Sequence, residues 1–174
     1  RMSEPAGRCL DLKHAYKQLV RHPQDAWAAV LAVLNPHDHQ VYFFEAVALP
    51  FGSVSSVIAF NRAARALRCI LAKLFRLVVT NFFDDFCQLE LDLIKGSAWK
   101  TAEMVMNLLG WTISTGEDKR KPFEKRFEIL GAVISLPPPS GGPVTVENKQ
   151  SRLDQIGSYT PLAIRLGRDR KSVV

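Results

Sequence analysis

The most regular hydrophobic pattern in the sequence lies between residues 53 and 75. Apolar side chains recur there every three or four residues, at Phe60, Ala63, Ala64, Leu67, Ile70, Leu71 and Leu74. This spacing is typical of the buried face of an amphipathic helix. We therefore predict a helix from Ser53 to Phe75. A similar pattern predicts a second helix from Ser97 to Leu109, which Gly110 ends.

Shorter apolar runs predict β-strands. These runs cover residues 8–12, 27–34, 40–44, 111–114 and 127–136. Gly131 is expected to bend the last run into a strand pair. Residues 35–39 are typical of a turn, and residues 13–19 favour a helix. The chain is therefore expected to mix strands with helices.

The stretch from Leu77 to Leu91 combines two β-prone apolar runs with adjacent acidic residues, Asp84 and Asp85. A strand–turn–strand interpretation places both carboxylates at the turn. Burying ionised carboxylates costs several kcal/mol each unless a positive charge compensates, and hard oxygen ligands suit Mg²⁺. The pair therefore indicates a metal site, with an ordinary turn as the alternative, because Asp is common in turns.

Other polar residues leave two interpretations open. Asp11 ends the first strand, where it is either a catalytic group or the N-cap of the following helix. Arg62, Arg65 and Lys73 cluster on one face of the long helix. That face is either solvated or in contact with a phosphate backbone.

Composition narrows the class of protein. At 174 residues and 47% hydrophobic, the chain can bury a core and fits one domain with an appendage. The net charge of +6 favours a polyanionic partner. No apolar run approaches the ~20 residues of a membrane helix, and no signal-peptide pattern opens the chain. We expect an intracellular protein, in the nucleus or the cytoplasm, with no membrane partner.

The three cysteines, Cys9, Cys69 and Cys87, show neither metal-ligand spacing nor the spacing of a disulfide framework. Cys9 and Cys87 fall in apolar strands, and we interpret them as buried reduced thiols. This interpretation agrees with an intracellular protein.

The sequence predicts a boundary near residue 137. Residues 137–143, Pro-Pro-Pro-Ser-Gly-Gly-Pro, have the composition of a linker. In the segment that follows, a helix start is predicted at Asn148. Little apolar periodicity follows Ile156, and we expect that tail to be disordered.

Three stretches carry motifs in a recognisable order. Leu10 to Gln18 contains an Asp followed five residues later by an aromatic residue. Leu49 to Gly52 forms a Pro-Phe-Gly turn, with Phe60 and Arg62 beyond it, and Phe82 to Asp85 is an aromatic-x-Asp-Asp box. Together these stretches resemble the palm of a reverse transcriptase of the retrotransposon type. The segments that resemble the two motifs closing the palm are residues 109–111, the lysine cluster near residue 120, and residues 129–131.

The resemblance runs from about Cys9 to Leu136. It implies an α+β palm over residues 1–136, with a small antiparallel sheet and helices packed on one face. Residues 137–143 would then be the linker, and residues 144–174 the start of a thumb or a divergent tail. The implied activity is that of an RNA-directed DNA polymerase. Its partners would be an RNA/DNA template-primer and deoxynucleoside triphosphates.

The resemblance also implies the site residues. Asp11, Asp84 and Asp85 would hold two Mg²⁺ ions, with Mn²⁺ as an alternative, for two-metal nucleotidyl transfer. The residues that would contact the nucleotide are Leu12, Tyr16, Phe51, Gly52, Lys119 and Lys121. Tyr16 would exclude a 2′-hydroxyl, and Lys119 or Lys121 would protonate the departing pyrophosphate. The nucleic acid would be contacted by Arg62, Arg65 and Lys73.

The sequence departs from the family at several points. Phe82 stands where Tyr is usual, and Ser53 and Val57 replace the Leu and Pro that commonly follow the Pro-Phe-Gly turn. Relative to the family, we expect a fingers segment before Cys9, most of the thumb, and any RNase H or integrase segments to be missing. We therefore expect the chain alone to be inactive. The alternatives are a catalytically inactive remnant that at most binds nucleic acid, and a protein-interaction module.

Overall fold

The computed structural model describes residues 3–116, 119–138 and 140–169. Within these ranges the elements are β1 (Pro5–Asp11), β2 (Val30–Leu34), β3 (Val41–Glu45), α1 (Val54–Lys73), β4 (Val78–Phe82), β5 (Asp85–Leu91), α2 (Lys95–Leu108), β6 (Arg126–Ile129), β7 (Ala132–Ser135), β8 (Thr145–Asn148) and α3 (Gln150–Asp169). All the sheets are antiparallel and small. The α+β class is therefore confirmed. No helix in this part of the chain has the combination of length and hydrophobicity that crossing a membrane requires.

The central sheet has the strand order β1-β5-β4. In its register Leu10 lies opposite Phe86, and Asp11 lies opposite Asp85. Because side chains alternate between the two faces of a strand, the buried pair Leu10–Phe86 and the acidic pair Asp11–Asp85 lie on opposite faces. The acidic pair is therefore on the face that does not carry the main core.

Helices α1 and α2 pack on the core face of this sheet. The cluster of buried residues contains Leu10, Leu12, Phe60, Ala64, Leu67, Leu71, Phe86, Ala98, Ala102, Val105 and Met106, among others. Burial of one large apolar side chain contributes roughly 1.5–3 kcal/mol. Both predicted helices are confirmed with ends shifted by one or two residues. Leu74 was expected on the buried face, yet it is 72% exposed because it lies beyond the last residue of α1.

The charged side chain of Arg8 is buried on the same core face. Its Nε donates to Oε1 of Gln88 at 3.0 Å, and its guanidinium lies 4.0 Å from the ring centroid of Trp99. Oε1 of Glu103 lies 3.8 Å from Nη1 of Arg8. Burial lowers the pKa of Arg8 to about 10, so the side chain stays cationic at neutral pH. Stacking on the indole and the nearby carboxylate offset the cost of burying this charge.

Strands β2 and β3 form a separate two-stranded hairpin. Every residue of both strands is exposed, including Phe43 at 73%. The strand predicted from residue 27 begins only at Val30. Residues 23–28 are instead a short 3-10 helix with proline at its first position, where the fixed φ of proline favours helical geometry.

The third sheet, β6-β7-β8, contains the predicted strand pair and one strand that was not predicted. Leu130 and Gly131 connect β6 to β7 with φ values of 53° and 75°, the pattern of a type I′ turn. The predicted bend at Gly131 is therefore confirmed. Strand β8 pairs with β7. The proline- and glycine-rich segment, of which Pro139 lies outside the described residues, thus connects two strands of one sheet.

Three stretches differ from their predicted structure. Residues 111–114 make only a single bridge, between Leu12 and Ile113, instead of a strand. The helix expected over residues 13–19 is one 3-10 turn at Ala15–Gln18. Helix α3 starts two residues after the predicted start at Asn148 and continues to Asp169 through the tail that was expected to be disordered. Residues 170–174 lie outside the described residues.

Candidate active site

Asp11 and Asp85 form a cross-strand pair at the end of the central sheet. The next pair along the two strands, Leu12 and Asp84, is a hydrogen-bonded pair, because the amide of Leu12 donates to the carbonyl of Asp84 at 3.3 Å. The carbonyl of Asp11 instead accepts from the amide of Ser114, on the other side of β1. The pair is therefore of the non-hydrogen-bonded kind, with Cα atoms about 4.5 Å apart and side chains close together. Two of the expected carboxylates thus meet.

Asp84 lies in the two-residue turn that joins β4 to β5. Phe83, the first turn residue, has a φ of 51°, a left-handed conformation that non-glycine residues adopt at a cost of roughly 1–2 kcal/mol. A positive φ at the first of two turn residues is typical of a type II′ turn, where glycine is favoured. The Nδ2 atom of Asn81 donates to the Phe83 carbonyl at 3.2 Å and supports the turn. Backbone strain is therefore stored next to the carboxylates.

The electrostatics of the turn disfavour ionisation. Burial raises the pKa of Asp84, and the charge of Asp11 raises it further. The pKa of Asp85 is raised by burial first, then by Asp84 and Asp11. Burial and the neighbouring Asp85 raise the pKa of the Cys9 thiol to about 12. A bound cation would favour the ionised carboxylates and reverse these shifts.

Asp11 already has two partners at one oxygen. Its Oδ2 accepts from the Ser114 hydroxyl at 2.7 Å and from Nζ of Lys119 at 2.8 Å. Lys119 was an expected site residue, and the structure places it on the first carboxylate. Ser114 was not predicted as a site residue, because 103 residues separate it from Asp11 along the chain. Only its position near the predicted strand 111–114 could have drawn attention to it.

A cavity of about 230 Å³ opens beside this pair. It is lined by Cys9, Asp11, Asp85, Lys119, Lys121, Glu128, Lys149 and the β6–β7 turn. Lys121, the other expected lysine, donates to Oε2 of Glu128 at 3.1 Å, and Lys149 donates to the same oxygen at 2.9 Å. These hydrogen bonds lower the pKa of Glu128. Glu128 and Lys149 were not foreseen, because neither belongs to a recognisable local motif.

Tyr16 and Phe51, two residues expected to contact a nucleotide, touch each other. Their ring centroids are 4.9 Å apart, and the Tyr16 ring also lies 4.8 Å from that of Phe60 in the core. Gly52 has a φ of 88°, and the space where a Cβ would project is open. Leu12 is buried, and its carbonyl accepts from the amide of Ala15 at 3.2 Å.

The predicted nucleic-acid contacts on α1 lie elsewhere. Arg62, Arg65 and Lys73 are all exposed, on the side of α1 opposite to its buried residues. That buried side packs on the central sheet. The structure therefore does not bring these three side chains to the carboxylates, and their role stays a prediction.

The three carboxylates fit a divalent cation such as Mg²⁺ in donor chemistry, since they offer only hard oxygen atoms. Two of them also have raised pKa values that a cation would lower. Among the residues that the structure describes, however, no group of three or more His, Cys, Asp or Glu side chains is arranged to hold a metal ion.

Comparison with known proteins adds no family assignment. The sequence matches no protein-family model, and no curated protein is significantly similar to it.

Proposed function

We propose that the chain is the palm-type core of an RNA-directed DNA polymerase, which transfers deoxynucleotides to a primer 3′-hydroxyl. The observation that carries this proposal is the acidic pair Asp11–Asp85, with Asp84 in the adjoining turn. Two-metal nucleotidyl transfer requires carboxylates that converge from different segments. The order of the sequence motifs and the net charge of +6 also support it.

In this proposal Asp11, Asp84 and Asp85 would hold two Mg²⁺ or Mn²⁺ ions. When bound, such ions lower the barrier by neutralising charge on the attacking and leaving oxygens. The cavity beside these carboxylates would hold the primer end. The strained turn at Phe83 fixes the backbone of Asp84, so that less reorganisation is needed when the substrates bind.

We assign to Lys119, and not to Lys121, the role of donating a proton to the departing pyrophosphate. Nζ of Lys119 is 2.8 Å from Asp11, whereas Lys121 is held by Glu128. Lys119 is thus the lysine adjacent to the reacting groups. Lys119 would therefore be the residue that holds a proton close to the departing phosphate oxygen, as a general acid.

Sugar selection would depend on Tyr16. Its ring is fixed between Phe60 in the core and Phe51 at the turn before α1. A ring held on both sides cannot easily move away from an additional hydroxyl, so a ribose 2′-hydroxyl would clash with it. This favours deoxynucleotides over ribonucleotides.

Because the chain alone is expected to be inactive, the test joins it to fingers and thumb segments of the kind that the family carries. It then measures incorporation of a single deoxynucleotide on an RNA template with a DNA primer, in Mg²⁺ or Mn²⁺. The Asp84→Asn variant is compared with wild type, and template-primer affinity and Mn²⁺ binding are measured on both proteins. We expect Asp84→Asn to reduce incorporation at least about 100-fold, because transition-state charge stabilisation is lost. Template-primer affinity should change little, because the phosphate contacts remain.

Equal incorporation by both proteins would show that the β4–β5 turn is not catalytic. Template-primer binding without Mn²⁺ binding and without incorporation would instead identify a catalytically inactive, nucleic-acid-binding remnant. If neither incorporation, nor template-primer binding, nor Mn²⁺ binding is observed, both the polymerase function and the nucleic-acid-binding function are contradicted.

A further inference from the structure

Cys9 and Cys87 lie directly opposite each other on β1 and β5. Hydrogen-bonded positions of this strand pair are marked by two bonds, from Leu12 N to Asp84 O and from Asp92 N to Glu4 O. Glu4 and Leu12, the residues on either side of β1 that make these bonds, have even numbers. Hydrogen-bonded and non-hydrogen-bonded positions alternate along an antiparallel strand, so the odd-numbered residues of β1 are at non-hydrogen-bonded positions. Cys9 and Cys87 are therefore a non-hydrogen-bonded pair.

This geometry matches that of a disulfide. Non-hydrogen-bonded partners have Cα atoms about 4.5 Å apart and side chains on the same face. Disulfides span Cα distances of roughly 4.4–6.8 Å. The strand register thus places the two cysteines at a Cα spacing within the range that a disulfide spans.

The two thiols differ in their access to solvent. Cys9 is partly exposed and lines the cavity beside Asp11 and Asp85. Cys87 lies in the central strand and is only 6% exposed. An oxidant of low molecular weight can therefore reach Cys9 more readily than Cys87.

We propose that Cys9 and Cys87 are a modification site that a low-molecular-weight disulfide converts into an intramolecular disulfide. Because the pKa of the Cys9 thiol is raised to about 12, only the small fraction present as thiolate attacks the small disulfide, whose S–S bond breaks and releases one thiolate. The Cys87 thiolate then attacks the Cys9 sulfur and releases the second small thiolate. The protein loses two electrons and two protons, and the small disulfide becomes two thiols.

The consequence is a covalent bond between the two strands that carry the acidic pair. It lies two residues from Asp11 and two residues from Asp85. It would close a long loop and restrict the unfolded chain. The inference rests on strand register and on the exposure of the two thiols, and it does not depend on the proposed polymerase activity.

The experiment exposes the folded protein to oxidised glutathione at mildly alkaline pH and maps cysteine-containing peptides without reduction. Cys69 on α1 is exposed and serves as an internal control for reagent activity. We expect a Cys9–Cys87 peptide pair, glutathione on Cys69, and a thermal midpoint on the order of 5 °C above that of the reduced protein. The Cys69→Ser variant should form the same cross-link.

Cys87→Ser should stop at the first step, with glutathione retained on Cys9 and no rise in the thermal midpoint. Glutathione on Cys69 with Cys9 and Cys87 both unlinked would overturn the proposal. A disulfide between Cys69 and either other cysteine would overturn it as well.

Discussion

The central sheet and the β2–β3 hairpin contain the same kinds of residues in opposite environments. Phe86 in β5 is 1% exposed, whereas Phe43 in β3 is 73% exposed. The local sequences do not distinguish them, since both strands are rich in aromatic and aliphatic residues. What differs is the packing, because α1 and α2 cover the central sheet and no described element buries the hairpin. A hydrophobic strand therefore predicts pairing more reliably than it predicts burial.

The largest expected effect tests this difference directly. Phe86→Ala should lower the free energy of unfolding by about 3–5 kcal/mol, because it leaves a cavity in the core. Phe43→Ala removes the same atoms from an exposed position and should change it by no more than about 0.5 kcal/mol. Urea denaturation of both variants measures the two values.

A loss above about 2 kcal/mol in Phe43→Ala would show that the hairpin is covered in solution, for example by self-association. Repeating the denaturation at several protein concentrations distinguishes that case, because the stability of an oligomer depends on concentration.

An intermediate effect is expected at Tyr16, which joins the two environments. Its ring packs on buried Phe60 on one side and on exposed Phe51 on the other. Under the proposed function, Tyr16→Ala should reduce discrimination between deoxynucleotides and ribonucleotides about 10- to 100-fold, equivalent to roughly 1.4–2.8 kcal/mol. Single-nucleotide incorporation with each substrate measures it.

Tyr16→Phe is the matched control for that experiment. It keeps the ring and removes only the hydroxyl, so discrimination should remain near the wild-type value. If Tyr16→Ala discriminates as well as wild type, the ring has no role in sugar selection.

The smallest expected effect is on the pH dependence of folding stability, which should have opposite signs for carboxylates in the two regions. The pKa values of Asp84 and Asp85 are raised above 3.8 in the folded protein. Their contribution to stability is therefore fully present below pH 3.8 and is lost as the pH rises through the raised values. At pH 7 without divalent cations, Asp84→Asn/Asp85→Asn should be more stable than wild type by about 0.5–1 kcal/mol.

That gain should shrink as the pH falls towards 4. Asp38, in the turn of the β2–β3 hairpin, provides the opposite case. Hydrogen bonds from the Gln40 amide and the Tyr42 hydroxyl lower its pKa. Its contribution is present at neutral pH and lost on acidification, so Asp38→Asn should be less stable than wild type at pH 7. The same sign in both variants would contradict the assignment of these shifts.

Much of the fold could be predicted because its signals are local. The helix α1 follows from a single apolar face, and the β4–β5 hairpin follows from two β-prone runs around Asp84. The stretch 27–29 continues the apolar run that predicts a strand, but the 3-10 helix that begins at Pro23 extends through Ala28. Residues 111–114 are apolar enough for a strand, but they run beside the end of β1 with only a single bridge.

The candidate site could be predicted only in part, for a related reason. Asp11, Asp84 and Lys119 belong to motifs, and the structure places them around one location. Ser114 and Glu128 reach that location through long-range packing, which a local pattern cannot encode. Gly7 shows how this packing arises, because the ring of Phe127 in β6 occupies the space that a Cβ at Gly7 would need.

The left-handed backbone of Phe83 has a consequence for how the protein tolerates change. A turn whose residue is unfavourable for its own conformation must be held in place by its surroundings, here by contact with the core cluster and with the ring of Phe82 at 4.8 Å. Loosening the core therefore lets the turn relax before the chain unfolds. Core substitutions outside the candidate site, such as Val105→Ala in α2, should thus impair the alignment of the carboxylates at temperatures where the protein is still folded.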